Sequence, residues 1–153
     1  MTPAVKLLVK QKVLHTIHQY QHDENAQSYG LEAAKKMSVS PERVFKTLVI
    51  ESDNKLAVCI IPVDQQLSLK LAAKTLKAKK AHMAAAQKVE TTTGYVLGGV
   101  SPLGQKKRLT TLIDMSATNF KTIFISGGKR GIEIEIAPTE LLKLCNAKLC
   151  ALS

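Results

Sequence analysis

The run KTLVIESDNKLAVCIIPV, residues 46–63, restricts the possible folds of this chain more than any other stretch. Leu, Val and Ile fill both halves, and the polar pair Asp53-Asn54 interrupts them at the middle. Two β-rich runs around such a break predict a hairpin, although Asp-Asn forms a tight turn less readily than Asn-Gly. A central hairpin with apolar residues on both faces must be covered, so the flanking segments have to supply the cover.

Thr2 suits a helix N-cap with Pro3 at the first helical position, and Val5, Leu8 and Val9 share one face, which predicts a short helix over 3–11. VLHTIHQY, residues 13–20, alternates apolar and polar as a half-buried strand does. Residues 31–37 and the Ser40-Pro41-Glu42 start read as two short helical segments. A helix is expected from about Ser68 to Lys77 with Leu69, Leu71, Ala72 and Leu76 inward, and another short one over 84–90. TTTGYVLGG, residues 91–99, reads as extended. RLTTLID, KTIFIS and IEIEIA follow as strands, and Pro138 opens a closing helix, PTELLKLC. Helix and strand alternate too irregularly for a doubly wound parallel sheet. The expected fold class is α+β, a mixed, largely antiparallel sheet flanked by short helices. The length of 153 residues, with no repeat or linker, suits one domain over 1–153.

Twenty-two Lys and Arg against twelve Asp and Glu leave a formal charge of +10. That balance fits an anionic macromolecular partner, and equally a merely soluble basic surface. No apolar run approaches the roughly 20 residues of a membrane span, and MTPAVKLLVKQK spreads lysines through its apolar pattern, unlike a signal peptide. A cytoplasmic protein without a membrane partner is expected. The three cysteines, Cys59, Cys145 and Cys150, form no CxxC pair and are expected as free thiols, Cys59 as a small buried hydrophobe within LAVCIIP.

Several familiar chemistries fail on the residues. Gly99 to Gly104 has the glycine spacing of a phosphate loop, but Gln105 stands where that loop needs lysine, and Pro102 removes a backbone donor. GxGxxG is absent. Gly99-Val100-Ser101-Pro102-Leu103 lacks the second glycine of a hydrolase elbow, and all four histidines precede it, so Ser101 is better read as a turn residue than as a triad nucleophile. His18 and His22 have metal-ligand spacing only on a helix, whereas this pair straddles a strand end and a polar loop. What remains is Lys46 at a strand start beside Thr47, with glycine turns at 98–99 and 127–128. Such turns bring backbone N–H groups close to a ligand, and a lysine adds positive charge. By position alone, a solvated strand-edge lysine is the simpler account of Lys46.

Three separated stretches, Phe45-Lys46-Thr47-Leu48, Thr93 to Gly104 and Ser126-Gly127-Gly128-Lys129-Arg130-Gly131, together resemble the YbaK/EbsC family of aminoacyl-tRNA editing domains. MTPAVKLL and HQYQHD are similar as well, so the resemblance runs nearly the whole chain. It implies removal of cysteine from Cys-tRNA(Pro), with tRNA(Pro) and prolyl-tRNA synthetase as partners, no DNA partner, no cofactor and no metal. A small pocket cannot reject an amino acid as similar in size to proline as cysteine, which is why a second site is needed. The implied mechanism is substrate-assisted, the cysteine thiol attacking its own ester. Carried over by position, Lys46 lies by the ester or terminal phosphate, and Thr47 lines the same pocket. Tyr20 and Tyr29 form a wall and a stacking surface for the terminal adenosine. The backbone of Gly98, Gly99 and Ser101, with Pro102 fixing the turn, meets the aminoacyl group. Glu133 belongs to the substrate site; relatives often have Asp there, and Phe at position 29. Lys106, Lys107, Arg108, Lys129 and Arg130 are expected phosphate contacts. A deacylase for another small amino acid such as alanine, and a non-catalytic RNA-binding partner of a synthetase, are the alternatives.

Overall fold

The computed structural model describes residues 1–153. Its centre is the expected hairpin: β2 (Phe45–Ser52) pairs antiparallel with β3 (Lys55–Pro62) from Phe45↔Pro62 to Ser52↔Lys55. Asp53 and Asn54 adopt φ of 50° and 62°. Both turn residues are thus left-handed, the geometry whose twist matches a two-residue hairpin, and short polar side chains tolerate it best after glycine.

Two sheets, not one, are built around this hairpin. The larger runs β4-β2-β3-β5-β8, where β4 is His82–Met83, β5 Thr110–Asp114 and β8 Lys148–Cys150. Its β5 lies parallel to both β3 and β8. The smaller is an antiparallel set, β1-β7-β6, from Thr16–Gln19, Ile132–Ile136 and Ile123–Lys129. A single parallel bridge, Val44↔Phe124, joins the start of β2 to β6. The fold is α+β, and the larger sheet is mixed, as expected.

The helices are α1 (Pro3–Lys10), α2 (Tyr29–Met37), α3 (Leu69–Thr75), α4 (Ala86–Thr93) and α5 (Pro138–Cys145). The Thr2 hydroxyl accepts from Val5 N at 3.3 Å, so the cap read from the sequence forms, and it donates to Gly127 O at 2.5 Å, tying α1 to the β6–β7 turn. Alternate residues of the strands fill the main core: Phe45, Val58 and Ile60 of the hairpin meet Ile123, Ile125, Ile134 and Ile136 of the smaller sheet, with Leu8, Leu103 and Leu141 closing it. The opposite hairpin face, Ile50, Cys59 and Ile61, packs with Ala72 of α3. Each fully buried Leu, Ile or Phe contributes roughly 1.5–3 kcal/mol by leaving water.

One expected element is replaced. Residues 91–99 are not extended: Thr91–Thr93 complete α4, and Gly94, at φ +84°, caps it. Local hydrogen bonds override the β-propensity of the threonine run, since Thr93 Oγ1 donates to Val89 O at 2.7 Å and accepts from Tyr95 N at 3.1 Å. Strand β1 begins at Thr16, not at residue 13, and the short β4 and β8 were not expected.

Candidate functional site

The bridge between the sheets leaves a cavity of about 250 Å³ where β2 begins. One edge of β2 is paired with β3 along its length, but the other is paired with β4 only at Ile50 and Glu51. Phe45 to Leu48 therefore have no paired strand on that side, where they line the cavity. Lys46 stands here. None of the ion pairs, which join His18 and Arg43 to Glu135 and His82 and Lys88 to Glu51, includes it. Burial lowers the Lys46 pKa below its ordinary value, against the raising influence of Asp64. Thr47 Oγ1 is buried without a hydrogen-bond partner. Thr47 pairs with Ile60 and Lys46 with Ile61, so the buried hydroxyl and the cation project to opposite faces of the strand.

Glu133 of β7 faces the same cavity, opposite Ser126 of β6. It is 7% exposed, and burial pushes its carboxyl pKa up to about 8. Burial also raises the Tyr20 phenol, and the charge of Glu133 adds to that shift. Ionisation of Glu133 is therefore harder in the native state than in the unfolded chain. The stability this gives is complete below a pH of about 4.5 and is lost as pH rises to about 8. Glu133→Gln removes the titration and keeps the shape. Thermal unfolding of both proteins at pH 5 and pH 8 is expected to show a gap favouring the Gln variant that widens with pH; parallel profiles contradict a buried neutral carboxyl.

The outer wall is a strap, residues 20–28, held at both sides. Tyr20 N–H donates to Gly131 O at 2.9 Å, and Arg130 Nη2 to Asp23 O at 3.3 Å. From α2, Glu32 Oε2 accepts from Asp23 N at 2.6 Å, and Lys36 Nζ donates to Gln21 O at 3.0 Å. The Arg130 guanidinium lies 3.6 Å over the Tyr29 ring. Gly98, at φ +92°, closes the wall: a Cβ there would stand 2.5 Å from Tyr29 Cε2, so backbone alone fits against the ring.

The structure brings Lys46, Thr47, Tyr20, Tyr29, Gly98, Lys129, Arg130 and Glu133 to this cavity. It places other expected residues elsewhere. Ser101 is fully buried, its Oγ accepting from Leu103 N at 3.3 Å, and its carbonyl accepts from Gln105 Nε2 at 2.9 Å. Gly99 packs its backbone on Lys129, and Pro102 faces a different cleft beside Leu7 and Cys145. Lys106 lies along Gly94, while Lys107 and Arg108 line a groove with Lys55 and Lys88 near the hairpin turn. Lys46 and Ser52 stand at the two ends of β2, about 20 Å apart for an extended strand, so that groove is remote from the cavity. Conversely, Val44, Val63 and Leu97 line the cavity without having been singled out. Val44 and Val63 were accessible from hairpin register, since Val63 N–H donates to Val44 O one step beyond Phe45↔Pro62.

No histidine or cysteine lines the cavity. No three His, Cys, Asp or Glu side chains converge as a metal site would need. Cys59 is fully buried, and burial raises its thiol pKa to about 12, so it is no thiolate at neutral pH. No helix is long and apolar enough to cross a membrane.

A cavity with an unpaired lysine and a backbone wall can orient an acyl group and stabilise charge on it. Residues 23–144 match the family model of the aminoacyl-tRNA editing domain, and the chain belongs to that family. Its function is that of an aminoacyl-tRNA editing deacylase. The chain is 34% identical over 153 residues to the Enterococcus faecalis protein EbsC, which is provisionally named a Cys-tRNA(Pro)/Cys-tRNA(Cys) deacylase; the match covers 99% of this chain and 93% of EbsC. The uncharacterized Bacillus subtilis protein YwhH is 29% identical over 119 residues, 77% of this chain and 75% of its own. Among solved structures, a candidate trans-editing enzyme for prolyl tRNA synthetase has the same fold, with a TM-score of 0.86 at 19% identity over 100% of this chain and 98% of that one.

Proposed function

We infer that this chain removes cysteine from Cys-tRNA(Pro), and that the substrate thiol performs the attack. The observation that carries the reading is the lining of the cavity: a lysine without an ion-pair partner at the start of β2, and no histidine or cysteine to act as base or nucleophile. The similarity to EbsC supports the choice of substrate. The volume suits a small side chain, and cysteine is the size that an enzyme selecting proline fails to exclude.

In this reading the cysteinyl ester lies along Phe45 to Leu48, its α-ammonium toward Glu133, whose carboxylate form that cation favours. The thiol sulfur bonds to the ester carbonyl carbon. The bond from that carbon to the terminal ribose oxygen breaks, and the thiol proton passes to the ribose oxygen. The tRNA leaves with a free hydroxyl, and water opens the cyclic thioester to free cysteine. Lys46 and the β2-edge N–H groups stabilise the negative charge that builds on the carbonyl oxygen. Orientation of sulfur against carbon is worth roughly 7–11 kcal/mol in favourable cases, and a well-placed oxyanion donor about 3–4. An activated ester needs little more.

tRNA(Pro) charged with cysteine, with alanine and with proline separates this from the alternatives. The purified protein is expected to release cysteine and leave the other esters intact. Release of alanine instead assigns a different small amino acid, and no release assigns a binding module without catalysis. The basic surface gives tRNA affinity that falls steeply with salt. How tRNA(Pro) is chosen, by this chain or by prolyl-tRNA synthetase bound to it, is read from the same assay with synthetase added.

A further inference from the structure

A run of lysines lies outside the lining of the cavity. Between Asp64 and Glu90 stand six lysines and no acidic residue: Lys70, Lys74, Lys77, Lys79, Lys80 and Lys88. All six are exposed, and only Lys88, which binds Glu51, has an ion-pair partner. Local stability does not account for them. Lys70 stands in the first turn of α3, where the helix dipole disfavours a cation and no acid offsets it, and it repels Lys74 four residues on. A charge pattern that the helix itself disfavours is better explained by what it attracts.

Their placement gives that attraction a direction. Val63 lines the cavity, and Lys77 lines a groove of about 500 Å³ beside the hairpin turn, so the chain between them, with α3, spans the large sheet from one end of the hairpin to the other. Lys70, Lys74 and Lys77 recur at helical spacing along one side of α3. Lys55 belongs both to that groove and to its neighbour, where Lys88, Lys107 and Arg108 join it. Cations therefore follow α3 and pass round the hairpin turn, ending about 20 Å from the cavity. At roughly 3.4 Å per nucleotide a stacked strand covers that distance in about six nucleotides, which takes it past the unpaired 3′ end of a tRNA and into its stem.

The lining favours a duplex over a single strand. Proteins that hold single-stranded nucleic acid stack its bases on aromatic rings. None of the three Tyr and three Phe of this chain lines either groove. Cations without rings fit a duplex, whose bases are stacked inside and whose phosphates face out.

We propose that the lysine side of α3 and the grooves at the hairpin turn form a second RNA contact, which holds phosphates of the double-helical stem while the acylated end reaches the cavity. This rests on the editing reading for the identity of the RNA.

Filter binding of an uncharged stem–loop with the acceptor-stem sequence of tRNA(Pro), and of its single-stranded 3′ end alone, tests the surface apart from the reaction. The combined substitution Lys70→Gln, Lys74→Gln and Lys77→Gln is expected to weaken stem affinity by on the order of tenfold at about 0.1 M salt and to flatten its salt dependence, with less than about a twofold change for the single strand. Lys6→Gln, Lys10→Gln and Lys12→Gln together remove the same charge from exposed positions in and after α1, and should leave stem affinity within about twofold of the parent's. Equal weakening by the two variants overturns the proposal, and so does unaltered stem affinity in the first. A first variant that holds the stem as the parent does but loses affinity for purified prolyl-tRNA synthetase also overturns it, and assigns the face to an acidic protein surface. If stem affinity is unaltered while cysteine is still released from Cys-tRNA(Pro), the second contact fails and the editing reading stands. If stem affinity falls as described and the parent cleaves no ester, the reverse holds.

Discussion

Lys46→Ala is expected to lower the single-turnover rate of Cys-tRNA(Pro) cleavage by on the order of 100-fold, the loss typical of removing one donor to a developing oxyanion. Affinity for tRNA should fall by less than about threefold, because one among many phosphate-facing cations contributes little at moderate salt. The two effects separate because Lys46 is asked to act on charge that exists only in the transition state, and an interaction of that kind appears in the rate and not in ground-state binding. The fold should be unaffected: Lys46 makes no ion pair, and burial already lowers its pKa, so its removal takes away a charge that the native state disfavours. A thermal midpoint equal to the parent's or slightly above it is expected. Single-turnover kinetics and filter binding check the split; an unchanged rate, or rate and affinity falling together, contradicts an electrostatic role for this lysine.

The hairpin was legible because its signal is local. An apolar run with a polar break specifies both the strands and the turn, and the register Phe45↔Pro62 follows from the turn position. Lys46 and Thr47 could be placed at a strand start for the same reason. The division into two sheets was not legible, because it depends on a single bridge, Val44↔Phe124, between residues 80 positions apart that carry no local mark. Since the cavity lies at that junction, its lining is non-local too. Glu133 and Gly98 were proposed through the family resemblance, and their setting, a carboxyl with its pKa raised to about 8 and a glycine against Tyr29, comes only from tertiary packing.

The stretch from Thr93 to Gly104 shows the limit from the other side. The resemblance implied that the backbone of Gly98, Gly99 and Ser101 meets the aminoacyl group, with Pro102 fixing the turn. In the structure only Leu97, Gly98 and Val100 reach the cavity, while Ser101 is turned inward and holds the loop's own backbone. A motif gives the loop its shape as a whole, and Ser101 holds that shape through bonds to Leu103 and Gln105. The Lys106 to Arg108 run is similar: Lys106 N–H donates to Thr93 O at 2.9 Å and Lys107 N–H to Thr92 O at 3.2 Å, which directs Lys107 and Arg108 to the groove at the hairpin turn. If those cations hold RNA, they hold a segment well away from the ester.

The central claim is that the substrate's own thiol, and no side chain of the cavity, supplies the nucleophile. Serine differs from cysteine by one atom and fills nearly the same space, so tRNA(Pro) charged with serine preserves binding and changes the chemistry. A few per cent of a cysteine thiol is thiolate at neutral pH and that thiolate is a strong nucleophile, whereas a serine hydroxyl ionises negligibly without a base. The measurement is the single-turnover rate of ester loss from Cys-tRNA(Pro) and Ser-tRNA(Pro) under saturating protein. The account predicts that the serine ester persists, with a rate lower by on the order of 100-fold or more; cleavage of both esters at similar rates contradicts it and assigns the attack to water or to the protein.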